Sequence, residues 1–469
     1  MEDTRISVSD PRFFGETDSE TIQNAINYAH ENGYKEVVIP CRNARTDSDR
    51  YVIPKVILLP SNMTVYLDSA HMVMADGVWE NMFRNENAYT ELGKTLAGEQ
   101  ENIRIIGLGH AVIDGGTPNG LCEQLHRDDP EHYPSMYVNL MIFFCNVRHF
   151  EVRNIQFLDT RYWAMNFMFC RWGKLIDLDF RNYATMENQD GIDIRVGCEY
   201  ITVENITGIT GDDTIALTAL PLGARHLAVE GKKVHIHDIN IRNVESSTHG
   251  CALLRFLCED GAQIYNVNVD GLKDTGVSVG GAAIFMGTGS TRFARDHARV
   301  MGDFRNITIR NIMVATQRGI DFNEPTENVT IENLTTFGRN EVGLAFGKNF
   351  VAKNVKIRNV NICPDPESHE DAARYAFSVP EENPEAFEGL YLSDVTVTGE
   401  KYIFAGLDLP IENFRYEAPT EGYMIPFAEK PKLKSGYGRY FYGSYGKPIE
   451  NRPRDNRFGG GLSVEDEKR

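Results

Sequence analysis

Ile309-Arg310-Asn311-Ile312, Ile331-Glu332-Asn333-Leu334 and Ile357-Arg358-Asn359-Val360 are three copies of one phrase: a β-branched residue, a polar residue, asparagine, then an apolar residue. The phrase stands earlier as Val152-Arg153-Asn154-Ile155, Val203-Glu204-Asn205-Ile206, Ile241-Arg242-Asn243-Val244 and Ile264-Tyr265-Asn266-Val267. Successive asparagines are 51, 38, 23, 45, 22 and 26 residues apart. Two intervals are near twice the shortest, so each hides a further copy. Leu175-Ile176-Asp177-Leu178-Asp179 supplies one, with Asp179 lying 25 residues after Asn154 and 26 before Asn205. The 38-residue interval reads as one copy carrying a loop near Leu220 to Lys232. Short alternating strands on such a period cannot bury their apolar face alone and must stack coil on coil. Leucine-rich repeats share the period but need leucines at fixed spacings, which are absent. The pattern predicts an all-β fold, a single-stranded right-handed parallel β-helix, with asparagine amides at the turns bonding from coil to coil.

Outward from the repeats, the ends differ. Near the start, Ile22, Ala25, Ile26 and Ala29 make one apolar stripe at helical spacing, with Asp18 as a cap and Gly33 as the stop. This predicts a capping helix in an N-terminal cap region, 1–60. The β-helix then occupies 61–420, and an irregular arm 421–469. In the arm the repeat stops and Tyr437, Tyr440, Phe441, Tyr442 and Tyr445 cluster with basic residues. The arm either packs along its own β-helix or crosses to a neighbouring copy, making a homo-oligomer.

The whole chain has 469 residues, 42% hydrophobic and 25% charged, the composition of a protein with a large core. Disorder, collagen and a disulfide-dense miniprotein are excluded. No apolar run reaches the ~18 residues of a membrane span. Forty-eight Lys and Arg against 67 Asp and Glu give a formal charge of −19, which disfavours nucleic acid and anionic membranes as partners. Met1 to Arg5 lacks a basic start and apolar run, so the chain reads as cytoplasmic or as secreted with its leader removed. The eight cysteines form no CxxC pair and read as buried free thiols. No metal set or cofactor motif is expected; His235-Ile236-His237 lacks a third ligand.

Two acidic motifs stand one period apart, Asn188-Gln189-Asp190-Gly191 and Gly211-Asp212-Asp213, with 22 residues between Asp190 and Asp212. Stacked coils are ~4.8 Å apart, so three carboxyl groups would share one face. Groups that close resist joint ionisation, and a protonated acid beside a carboxylate is what glycoside hydrolysis uses. His249-Gly250 continues the pattern, since His249 follows Asn243 by six residues and Asp212 follows Asn205 by seven. A histidine there would tune the acid or bind a sugar hydroxyl.

These residues resemble glycoside hydrolase family 28, the polygalacturonase family, in the pectin-lyase-type β-helix superfamily. Its pattern is NTD, a DD one coil later, then GHG. Phe14-Gly15-Glu16-Thr17-Asp18-Ser19 resembles that superfamily's N-terminal cap, and Ile105-Ile106-Gly107-Leu108-Gly109 with Ile113-Asp114-Gly115-Gly116 its I-x-G-x-G…I-D-G-x-G segment. The resemblance implies an inverting hydrolase on a carbohydrate: Asp212 as general acid, Asp190 and Asp213 holding and deprotonating water, His249 supporting the acid. Asn188, His249 and Arg255 are then candidate substrate contacts.

The chain departs from the family in three places. Gln189 replaces Thr, and Thr248 replaces the first Gly of GHG, which would crowd the backbone. The family's Arg-Ile-Lys triplet has no counterpart, its place reading Gly280-Gly281-Ala282-Ala283-Ile284-Phe285-Met286. Arg255, Lys273, Arg292 and Arg295 are replacements only if they are not surface charges. With the overall acidity, this argues against a strongly anionic polymer. Loops around Asp128-Asp129-Pro130 and Pro221-Leu222 would wall one end of the cleft and favour exo action on oligosaccharides. A uronate lyase or epimerase, and a non-catalytic glycan-binding β-helix, are the alternatives on the same fold.

Overall fold

The structure is a computed structural model that describes residues 5–117, 137–182, 188–276, 278, 281–287, 299–338, 340–364, 374–378, 384–398, 402–405 and 411–417. The segment around Asp128, Arg292, Arg295 and the arm at 421–469 lie outside them. The chain divides into two compact units. The first draws on Met1–Asp212 and Gly223–Lys233, the second on Asp213–Leu222 and Val234–Glu450.

Both units are built the same way, from parallel strands in which each strand pairs with its counterpart one coil on. In the first unit, Gln100–Leu108, Val147–Leu158, Arg171–Arg181 and Glu199–Thr210 form one ladder. Phe83–Asn85, Ile142–Cys145, Met165–Met168 and Ile192–Arg195 form another. In the second unit, Ile236–Thr248, Ile264–Asp274, Phe304–Val314, Thr326–Gly338 and Ala352–Pro364 repeat the first ladder. Ile215–Ala219, Ala252–Cys258, Ala282–Met286, Arg318–Phe322 and Val342–Phe346 repeat the second. This is the parallel β-helix the repeat predicts. Its core is the stacked inward residues, such as Val152, Leu175 and Val203 in the first unit and Ile309, Ile331 and Ile357 in the second, all fully buried.

The repeat asparagines explain why each long strand bends. Asn154, Asn205, Asn243, Asn266, Asn311, Asn333 and Asn359 all have φ between 52° and 58°, the left-handed region that asparagine tolerates better than other side chains. Their amides run from coil to coil: Asn359 Nδ2 donates to Asn333 Oδ1 at 2.8 Å, and Asn333 to Asn311 at 2.9 Å. The sequence reading merges two such columns. Asn266 belongs to a second corner, where Asn354 donates to Asn328, Asn328 to Asn306, Asn306 to Asn266 and Asn266 to Asp238. The corners Asn328 and Asn333 lie five residues apart and favour the same residue type, so spacing alone does not separate them. Likewise the corner between Asn154 and Asn205 is Asp177, at φ 56° and accepting from Asn205 Nδ2 at 2.8 Å. Asp179 instead accepts from Gln156 and Thr207.

Asn333→Ala removes one amide from its ladder and leaves an alanine in the left-handed region, at a cost of about 1–2 kcal/mol. Asn333→Gly loses the amide without the strain and should cost less. Urea melts of the two variants check the order.

The helix, Asp18–Glu31, packs over the strands Glu36–Pro40, Tyr51–Ile53 and Ile57–Leu59. Ile22, Ala25, Ile26 and Ala29 are fully buried, as the stripe requires. The cap, however, is Thr17, whose hydroxyl accepts from the Glu20 N–H at 3.1 Å. Asp18 is displaced from that duty by better partners, accepting from Asn43 Nδ2, Val52 N–H and the Arg45 guanidinium.

The first unit also anchors Gly223–Lys233, the part of the expected loop that belongs to it. Lys232 and Arg171 both meet the Glu99 carboxylate at 2.7 Å. Burial opposes that charge, but these cations outweigh it and hold Glu99 below the usual carboxylate range. Its stabilising effect is therefore full above the unfolded carboxylate range and is lost as pH falls through the lower folded value.

Candidate active site

In the first unit two consecutive turns present the acids. Asn188 has φ 58° and opens a tight turn. Gln189 is fully buried; its side-chain amide donates to the Thr160 carbonyl at 2.6 Å, and its own carbonyl accepts from Gly211 N–H at 3.0 Å and Asp212 N–H at 3.4 Å. Through these bonds Gln189 ties the Asp190 turn to the Asp212 turn. The Asn188 N–H then donates to Asp212 Oδ2 at 3.1 Å, and the Asp212 carbonyl accepts from Thr210 Oγ1 at 2.8 Å. Asp190 and Asp212 are 5% and 3% exposed. One Asp212 oxygen is thus held by a backbone donor, which restrains rotation of the carboxyl group.

In the second unit Asp213 is 6% exposed and accepts from Ala252 N–H at 2.9 Å. The guanidinium of Arg255 lies 3.8 Å from its second oxygen, stacks over Phe285 at 4.8 Å and donates to Cys251 Sγ. Arg255 is therefore no surface charge; it is 5% exposed. Lys273 is one, in an exposed pair with Glu245. A guanidinium committed to Asp213 differs from a free Arg-Lys fork waiting for a substrate carboxylate. The strand Ala282–Met286, where that fork would stand, is buried throughout and carries no basic residue.

His249 sits on the turn before the strand Ala252–Cys258. That strand is placed by the pairing of Leu254 with Ile215. Thr248 does not crowd this turn. It is fully buried, its Oγ1 accepts the Gly250 N–H at 3.2 Å, and its own N–H donates to Ser278 Oγ. The hydroxyl closes the turn that a glycine would leave open.

Burial pushes His249 below the ordinary histidine range, so its imidazole is neutral at pH 7 and serves as a hydrogen-bonding group rather than a cation. The unfolded chain takes up this proton first. Stability is therefore fully present above the unfolded value of about 6.5 and falls as pH drops below it. His249→Leu should shrink the loss of thermal midpoint between pH 7.5 and 5.5, measured against wild type.

Other sequence signals resolve into packing. Trp163 is buried, stacked on Tyr162 at 4.5 Å. Trp172 is 39% exposed beside Tyr200 and His149. His237 pairs with Asp238 and stacks on Tyr265. Cys145, Cys170, Cys198, Cys251 and Cys258 are buried thiols outside any disulfide; Cys41 is exposed, Cys363 half-buried, and Cys122 lies outside the described residues. Among the described residues, no helix is long and apolar enough to cross a membrane.

The sequence model for glycosyl hydrolases family 28 matches residues 49–230, a span that holds Asp190, Asp212 and Asp213 and ends before His249. This agrees with the resemblance carried by the acidic motifs. The A-module of mannuronan C-5 epimerase AlgE6 from Azotobacter vinelandii is similar in structure, with a TM-score of 0.58 and 14% identity, over 88% of this chain and 99% of that one. PfbA, a surface adhesin of Streptococcus pneumoniae, matches at 0.50 and 14%, over 88% and 90%. An exopolygalacturonase from Thermotoga maritima matches at 0.48 and 14%, over 89% and 92%. No curated protein matches the sequence significantly. An epimerase and an adhesin on one β-helix leave the chemistry to the side chains.

Proposed function

We propose that this chain is a glycoside hydrolase acting on a pectin-type or related oligosaccharide, with Asp212 as the general acid and Asp190 and Asp213 activating water. The observation that carries this reading is the tie between the two acidic turns. Gln189 and Asn188 lock Asp212 against the turn of Asp190 through three backbone N–H donors. Asp213, next in the chain, is held by a separate amide and the Arg255 guanidinium.

The division of labour follows from these partners. A neutral carboxylic acid can accept the Asn188 N–H at one oxygen and offer its proton from the other to the leaving glycosidic oxygen. Asp213, beside a guanidinium, is suited to the ionised role, in which a carboxylate draws the proton from water as it attacks the anomeric carbon. Asp190 shares that water. Water adds to carbon, the glycosidic bond breaks, and the leaving oxygen takes the Asp212 proton, so atoms and charge balance. Direct attack by water implies inversion, and the loops expected around Asp128-Asp129-Pro130 and Pro221-Leu222 would favour release from a chain end. His249 and Asn188 are the proposed substrate contacts, and Arg255 acts through Asp213. The substrate class is carbohydrate, with neutral or weakly charged units favoured by the absence of an Arg-Lys fork.

A screen of defined oligosaccharides, uronic and neutral, with wild type and Asp212→Asn side by side, tests the proposal. Hydrolysis by wild type alone supports it. Cleavage by both proteins would remove Asp212 from the acid's role, and an unsaturated product would assign a lyase instead.

A further inference from the structure

Asn166 is the odd residue of the first unit. It lies mid-strand in Met165–Met168, is fully buried, and neither its Oδ1 nor its Nδ2 has a hydrogen-bond partner. A buried amide with both ends unsatisfied carries a standing penalty, and native proteins rarely keep one without use. Its place is not random. Asn166 pairs in register with Phe143 on one side and Asp193 on the other. Two residues before it, the Ala164 N–H donates to the carbonyl of Asp190 at 2.9 Å. Arg195, two residues beyond Asp193 on the same strand face, lies 3.5 Å from the Asp193 carboxylate and stacks over Trp163 at 4.5 Å. Asp193 and Arg195 are themselves 1% and 4% exposed.

We infer that Asn166, with Asp193 and Arg195, forms a sugar-binding subsite beside the Asp190 turn, for an uncharged ring presenting hydroxyl groups. This rests on the hydrolase reading above and specifies the ring that site takes. An amide offers one acceptor and two donors, the complement of a hydroxyl that both gives and takes a hydrogen bond. The Arg195 charge already faces Asp193, and Asp190 and Asp212 belong to the same unit, so a further carboxylate from a uronic unit would add to an excess of negative charge. Asp190 and Asp212 are nearly as buried as Asn166, so sugar binding here requires an opening that reaches Asn166 as well as Asp212. The sequence gives little hint of this, because Asn166 lies outside the repeat phrase and only register sets it beside Asp193.

Calorimetric titration of Asp212→Asn and of the double variant Asp212→Asn/Asn166→Leu, with trigalacturonate and its carboxyl-reduced neutral counterpart as probes, tests the inference. Expected are binding of the neutral probe at least as tight as the acid, and affinity about tenfold weaker with leucine. The leucine variant should melt no lower than its parent, since an unsatisfied amide has been replaced by an apolar group of similar size. Asn166→Ser is read the same way if leucine does not fold. Unchanged affinity, as a space-filling buried water would give, overturns the inference. So does a preference of tenfold or more for the acid, binding of neither probe, or a lower melting point in both Asn166 variants. Hydrolysis surviving in Asp212→Asn would sink the catalytic assignment alone, because the titration does not depend on turnover.

Discussion

Asp212→Asn lowers turnover of any oligosaccharide that the wild type cleaves by about 10³-fold while leaving the fold intact. The amide keeps the size of the carboxyl group, and its oxygen still accepts the Asn188 N–H seen at 3.1 Å. What it loses is the acidic proton, and a positioned general acid supplies roughly 10²–10⁴ in rate. KM should change little, since the interaction removed is made chiefly in the transition state. A substrate with a leaving group that needs no protonation, such as an activated aryl glycoside, should recover most of the rate. Recovery on that substrate separates loss of the acid from loss of the site, and equal loss on both substrates would assign Asp212 a different role.

Arg255→Met comes second in size and acts on stability as well as rate. Arg255 and Asp213 have side chains only 5% and 9% exposed, so methionine leaves a carboxylate in the interior without its counter-charge. Breaking a buried pair from one side costs about 3–5 kcal/mol. Turnover should also fall, by roughly 10²-fold, as Asp213 loses the cation that suits it to take a proton from water. The double variant Arg255→Met/Asp213→Asn removes the stranded charge and should regain most of the stability but none of the activity. Chemical denaturation and initial rates of the three proteins give the comparison. A single variant as stable as wild type would mean that the pair contributes nothing to the fold.

The repeat was legible because a left-handed corner narrows the choice of residue: asparagine recurs at φ near 55° at most of the corners named above, with aspartate at Asp177 and Asp238. Its ambiguity had the same source. Asn266 and Asn311 occupy different corners five residues out of phase, and both corners ask for asparagine. The acidic turns were legible as a pair because Asp190 and Asp212 keep the shortest period, the spacing that the proposed reaction uses. Arg255 and Asn166 were not, since either could point inward, outward or along the cleft until strand register is known. Ala216 pairing with Arg255 and Asp193 with Asn166 are facts of register, set by loops of irregular length that no local pattern encodes. Thr248 shows the converse: a departure from the family's glycine looked like crowding, yet its hydroxyl accepts the N–H two residues on and makes the turn itself.

Proton NMR of the first product formed from a defined oligosaccharide tests the central claim most directly, with wild type and Asp212→Asn run in parallel. The account predicts a new hemiacetal end whose first anomer is opposite to that of the cleaved bond, and no such end with Asp212→Asn. An unsaturated sugar, an epimerised unit without a new chain end, or the same product at the same rate from both proteins would contradict it.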